Sequence, residues 1–137
     1  MPEHLARYRA ADLCLDTFPY GSHTTGSDAL FVGCPFIGIY GETFASRVSL
    51  SLLRAAGLGH YATPSISAAA ALAAEIATDA EKLATARRDF AAARTSLLFD
   101  PALFARNIEA GLAAAIDRDR QGLLPVSIDL TGSHANA

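Results

Sequence analysis

Apolar residues in the first half of the chain come in short unbroken runs, whereas in the second half they recur at three- and four-residue steps. Unbroken runs fit strands covered on both faces, and stepped ones fit helices with one buried side. The run at residues 11–16 (ADLCLD) ends on Asp16 and the loop Thr17-Phe18-Pro19-Tyr20-Gly21, which predicts a buried strand and its exit turn. The next stretch, HTTGSDALFVG, predicts a short helix. Thr25 and Asp28 have the spacing of a capping box ahead of Ala29, Leu30, Phe31 and Val32, and Gly33 is placed to stop the helix. Residues 34–41 (CPFIGIYG) predict a second apolar strand bounded by Pro35 and Gly41. The helix predicted after it has Phe44, Val48, Leu52 and Ala55 or Ala56 on one stripe, with Gly57 and Gly59 as stops. Strand, helix, strand and helix with short links imply a parallel sheet with right-handed crossovers.

Beyond residue 63 the pattern is alanine-rich and helical. Pro64 suits a first turn, and Ile66, Ala69, Ala73, Ile76, Ala80 and Leu83 form an apolar stripe. A further run from Glu81 carries Leu83, Phe90 and Leu97 at seven-residue intervals, with Lys82, Arg87, Arg88 and Arg94 on the solvated side. The last helix is well marked. Asp100 is its N-cap, Pro101 its first residue, and Phe104, Ile108, Leu112 and Ile116 make a stripe that needs a surface to lie on. The expected organisation is one domain over residues 1–130 and a flexible tail at 131–137.

Composition narrows the classes. With 137 residues, 51% of them hydrophobic, the chain can bury the core of one domain. A net charge of −3 and a pI near 5.7 argue against bulk electrostatic binding of nucleic acid. The apolar runs are far shorter than the roughly 20 residues that span a bilayer, and the N-terminus lacks a signal core, so no membrane partner and a cytoplasmic location are expected. Cys14 and Cys34 lack CxxC spacing; the reading is two buried packing residues, without zinc or a disulfide scaffold.

In an open parallel sheet, ligands bind beyond the carboxyl ends of the strands, and residues 16–25 are such a handover from strand to helix. A helix start leaves about four backbone N–H groups unpaired and a partial positive charge, which suits a phosphate oxygen. Gly21 permits close backbone approach, Thr24 and Thr25 add hydroxyl donors, and His23 adds a ring nitrogen. Asp28, one turn on, is an acceptor of the kind that holds ribose hydroxyls. The residue types alone favour a plain capped helix over a ligand site, because Thr and Asp gather at helix starts without any ligand. The stretch matches neither GxGxxG nor a P-loop. Asp16 is expected to bond the turn backbone, and Arg47 to lie in solvent or pair with Glu42 or Glu3 rather than hold an anion.

The elements Leu-Asp-Thr, His-Thr-Thr, Ser-Asp-Ala-Leu, Gly-x-Pro and Gly-Glu-Thr-x-Ala-x-Arg-Val stand at residues 15–17, 23–25, 27–30, 33–35 and 41–48. In this order, and with the later LFDPALFARNIEAGL, the chain resembles the C-terminal catalytic lobe of the O-linked N-acetylglucosamine transferase family, including its bacterial tetratricopeptide-linked members. The resemblance implies an α/β fold, part of a Rossmann-like lobe of a GT-B glycosyltransferase. It implies that His23, Thr24 and Thr25 hold the diphosphate of a nucleotide sugar and Asp28 its ribose. The implied reaction transfers the sugar of UDP-N-acetylglucosamine to Ser or Thr hydroxyls of proteins, inverting, with the donor as substrate and without a cofactor or an obligatory metal.

The same resemblance implies regions this chain does not supply: the opposite lobe of the cleft, the upstream strands, a base-recognising segment, a lysine at the diphosphate and the array that presents protein acceptors. No catalytic residue is assigned, and little or no transfer is expected from the chain alone. The alternative is a non-catalytic module that binds a nucleotide weakly or packs on another chain. UDP-glucose and GDP-fucose remain open as donors.

Overall fold

The computed structural model describes residues 2–130, and the tail assigned to 131–137 lies outside them. The chain divides into two compact units, one running to Phe99 and the other from Asp100. The first is a mixed α/β layer built on a three-stranded parallel sheet in the order β1-β2-β3. Helix α1 (Pro2–Ala6) and a 3₁₀ turn lead into β1 (Cys14–Leu15), followed by α2 (Thr24–Val32), β2 (Phe36–Ile39) and α3 (Phe44–Ala55). A second 3₁₀ turn precedes β3 (Ala62–Thr63), and α4 (Ile66–Ala77) and α5 (Ala80–Ala93) follow. Pairing of Cys14 with Phe36 and of Gly38 with Ala62 fixes the register.

β2 is the centre of the core because all four of its residues are buried, as its unbroken apolar run requires. Phe36 and Ile37 pack in one cluster with Leu30 of α2, Leu53 of α3 and Phe90 of α5. Gly38 governs how close α3 comes. A Cβ there would stand 2.9 Å from Leu53 Cδ1 and 3.2 Å from Ser49 Cβ, so the helix lies directly on bare backbone.

The expected face of α3 holds in part, since Leu52 and Ala56 pack against the core, but the fully buried positions lie beside it. Ser46, Ser49 and Leu53 are its buried residues, whereas Phe44, placed on the apolar stripe by the sequence, is 74% exposed. Ser49 and Leu53 take the positions over Gly38, and Ser46 lies against Gly41. β3 went unpredicted: two residues are too short for a periodic signal. Pro64 precedes the Ser65 cap rather than opening α4, and Ile66 and Leu97 are exposed although their stripes predicted burial. Asp79 caps α5 through the backbone N–H groups of Glu81 and Lys82, which divides the alanine-rich stretch into two helices.

The second unit is α6 (Pro101–Arg120) and the strand-free segment after it. Asp100 Oδ1 accepts from the N–H groups of Ala102 and Leu103 at 2.9 Å each, with Pro101 at the first helical position as the sequence predicts. The chain turns at Gly122, where φ is +67°, and Arg118 then donates to the Leu124 carbonyl at 2.7 Å. The stripe of Phe104, Ile108, Leu112 and Ile116 stays between 49% and 66% exposed.

Candidate functional site

The site begins with Asp16, one residue past β1. Its Oδ1 accepts from the backbone N–H groups of Thr17 at 2.9 Å and Ser22 at 2.6 Å, and its Oδ2 accepts from Ile39 N–H at 2.9 Å. A buried carboxylate is tolerable when donors surround it, and three here tie the loop to the end of β2. The turn role expected for Asp16 is therefore what it performs, with an anchor to β2 added.

The loop is also clamped onto α3. Gly21 N–H donates to the Ala45 carbonyl at 3.0 Å, and Ser49 Oγ donates to the Ser22 carbonyl at 3.3 Å. A Cβ on Gly21 would sit 2.9 Å from Ser49 Oγ and 3.3 Å from the Ala45 oxygen, so α3 is what comes close to this glycine.

α2 then starts at Thr24, two residues earlier than a Thr25 cap would allow. His23 is the N-cap residue, and no side chain caps the helix. The predicted capping box of Thr25 and Asp28 does not form, because both residues lie inside the helix. Its first intrahelical bond runs from Ser27 N–H to the His23 carbonyl at 3.0 Å, which makes the N–H groups of Thr24, Thr25 and Gly26 the open donors of the first turn. The hydroxyls of Thr24 and Thr25 belong to exposed residues.

His23 is held as a ring between rings. It stacks on Tyr20 with centroids 4.8 Å apart at 15° and meets the edge of Phe44 at 6.0 Å. Its Nε2 lies 3.3 Å from the Ala45 carbonyl. A carbonyl only accepts, so Nε2 carries the hydrogen; a second hydrogen, on Nδ1, is what would let the same ring donate to an anion. Tyr20 and Phe44 were missed as partners of His23. An aromatic residue three positions before a histidine is too weak a signal by itself, and Phe44 reaches the ring only through the tertiary fold.

His23, Thr24 and Thr25 come together on a cavity of about 520 Å³, which is also lined by Tyr8, Cys14, Thr17 and Tyr20. Asp28 is not on that lining. Its Oδ2 lies 3.3 Å from His4 Nε2, and Tyr8 donates its phenol proton to the Thr25 carbonyl at 3.0 Å. Burial, and then the charge of Asp28, raises the Tyr8 phenol above its ordinary value, so it stays a donor. His4 and Tyr8, four residues apart, thus fasten the N-terminal segment to α2; that spacing was the available clue. Arg47 is exposed and lines a different cavity.

A larger cavity, about 620 Å³, opens by the other end of α2 and is lined by Arg9, Arg87 and Arg94 among others. It suits an anion less well. Arg87 is paired with Asp12, Arg94 lies over the Phe31 ring at 5.0 Å, and the carbonyl end of a helix is its negative end.

Comparison with known proteins agrees with the fold and the motif order. The family model of glycosyl transferase family 41 matches residues 1–108. The chain is 36% identical over 122 residues to the UDP-N-acetylglucosamine--peptide N-acetylglucosaminyltransferase of Caenorhabditis elegans, covering 88% of this chain and 11% of that protein. It is 38% identical over 109 residues to the probable enzyme of that name, SEC, of Arabidopsis thaliana, covering 78% and 11%. Among solved structures, a mutant of the Thermobaculum terrenum O-GlcNAc transferase superposes with a TM-score of 0.73 at 30% identity, covering 86% of this chain and 22% of that one. The chain belongs to glycosyl transferase family 41. It spans only about 11% of the length of these two curated relatives.

Proposed function

We propose that this chain holds the diphosphate of a nucleotide sugar, UDP-N-acetylglucosamine, at the open start of α2, as part of the nucleotide-binding lobe of a GT-B protein O-GlcNAc transferase. The observation that carries the reading is the uncapped N-terminus of α2 beyond the carboxyl end of β1, with His23, Thr24 and Thr25 on one cavity. The names of the relatives support the choice of donor and of a peptide acceptor.

In this reading the first-turn N–H groups, the two threonine hydroxyls and the His23 ring receive the diphosphate oxygens. Asp28, held on one oxygen by His4, accepts a ribose hydroxyl on the other. Transfer breaks the bond between the anomeric carbon and the diphosphate oxygen while a Ser or Thr hydroxyl attacks from the opposite side. Negative charge grows on the departing diphosphate, where fixed donors stabilise it without needing a metal. The acceptor and the opposing wall of the cleft come from regions outside this chain, whose small share of its relatives' length supports that division. Half a cleft neither excludes water nor orients two substrates, so the isolated chain transfers little or no sugar.

A non-catalytic interaction module is the second reading, favoured by the exposed stripe of α6. Calorimetric titration with UDP separates the two. The proposal expects saturable binding that His23→Ala and Asp28→Ala both weaken, with GDP as the competing-base control. A folded chain that binds neither nucleotide would leave the interaction reading alone.

A further inference from the structure

Cys14 at the start of β1 and Cys34 just before β2 are free thiols whose sulfurs lie 3.4 Å apart. The two strands are neighbours, and Cys14 N–H donates to the Pro35 carbonyl at 2.7 Å, so the backbone holds the pair in place. Cys34 is buried, whereas Cys14 is half-buried and lines the cavity at the start of α2. Cys14 is thus the more exposed of the two, although Cys34 borders the arginine-lined cavity at the other end of α2.

We infer that Cys14 and Cys34 form a reversible redox pair, with Cys14 as the sulfur attacked by a peroxide and Cys34 as the resolving thiol. The chemistry follows from the geometry. The Cys14 thiolate attacks one peroxide oxygen and breaks the O–O bond, which gives a sulfenic acid and, after protonation, water. The Cys34 sulfur then attacks Cys14 Sγ; the S–S bond forms, hydroxide leaves, and the Cys34 proton converts it to a second water. Two thiols are oxidised by two electrons and one peroxide is reduced to two waters. A dithiol reverses the reaction by exchange.

The hydrogen bond between the thiols supports these roles. Either thiol could donate in this bond; with Cys34 as the donor, the Cys14 thiol is lowered to about 7, while the same bond, together with burial, pushes Cys34 up. Cys14 is therefore the readier thiolate at neutral pH, and its alkylation is expected to rise through about pH 7. Closure of the pair would bracket the whole segment from Leu15 to Gly33, including His23, Thr24, Thr25 and Asp28, inside one covalent loop. The inference stands on the thiols alone and does not depend on which ligand the cavity takes.

The test uses the intact chain, hydrogen peroxide and an alkylating agent, read by mass spectrometry. The expected product is monomeric, lighter by about 2 Da, closed to alkylation, and gives one peptide pair joining Cys14 to Cys34. Dithiothreitol restores two alkylatable thiols. In Cys34→Ser the sulfenic acid should persist on Cys14 and be trapped by dimedone. An intact chain that keeps both thiols alkylatable, forms only dimers between chains, or runs on to sulfonic acid without the internal link would overturn the assignment.

Discussion

Helices α2 and α3 follow consecutive strands of the same sheet and start in opposite ways. α3 opens on a closed circuit: Thr43 Oγ1 accepts from Ser46 N–H at 3.3 Å, and Ser46 Oγ accepts from Thr43 N–H at 3.1 Å. α2 opens on His23, whose ring is committed to Tyr20, Phe44 and the Ala45 carbonyl and caps nothing. Ser65, Asp79 and Asp100 cap α4, α5 and α6 with their side chains, so α2 is the exception among these helices. A capped start has its donors satisfied and serves stability. An open start, held in place by a clamped loop and facing a cavity, keeps its donors for something else.

The contrast breaks most severely at Asp16, because its carboxylate shapes the loop that presents α2. Asp16→Ala strands three backbone donors and is expected to cost about 3 kcal/mol, read as a lower urea midpoint. An unchanged midpoint would mean the loop is held by other contacts. At the open start, Thr24→Ala and Thr25→Ala each remove a hydroxyl proposed to meet a charged diphosphate. UDP affinity should fall about tenfold while stability stays within about 0.5 kcal/mol.

The closed start should behave in reverse. Thr43→Ala removes the cap of α3 and is expected to lose about 1 kcal/mol of stability with UDP affinity unchanged. If Thr43→Ala weakened UDP and Thr25→Ala weakened the fold instead, the division of labour between the two helices would be wrong. The smallest effect belongs to His4→Ala. The pair with Asp28 is exposed enough that its loss should shift thermal stability by less than about 1 kcal/mol.

Much of this was legible in the sequence, though unevenly. The parallel sheet followed from two apolar runs separated by helical patterns, and Gly33 ends α2 with φ at +77°, as its position predicts. His23, Thr24 and Thr25 were picked out from residue types at a strand-to-helix handover, and the fold gathers them on one cavity. The capping box failed because a cap signal gives spacing but not register: Thr25 and Asp28 fit the motif, yet the helix begins before them. Asp28's pairing with His4 depends on the N-terminal segment folding back, which local pattern does not encode. The inner face of α3 was legible only in part: Leu52 and Ala56 pack against the core as the stripe predicts, whereas Ser49 and Leu53 hold the positions over Gly38, which lies on another element.

The most direct test of the open-start account is an amide NMR titration of the chain with UDP. Saturable shifts should appear first at the N–H groups of Thr24, Thr25 and Gly26, while those of Phe44 and Ala45 at the closed start of α3 move little. A well-dispersed spectrum in which the α2 start stays silent, or in which the shifts centre on the arginine-lined cavity at the other end of α2, would contradict it.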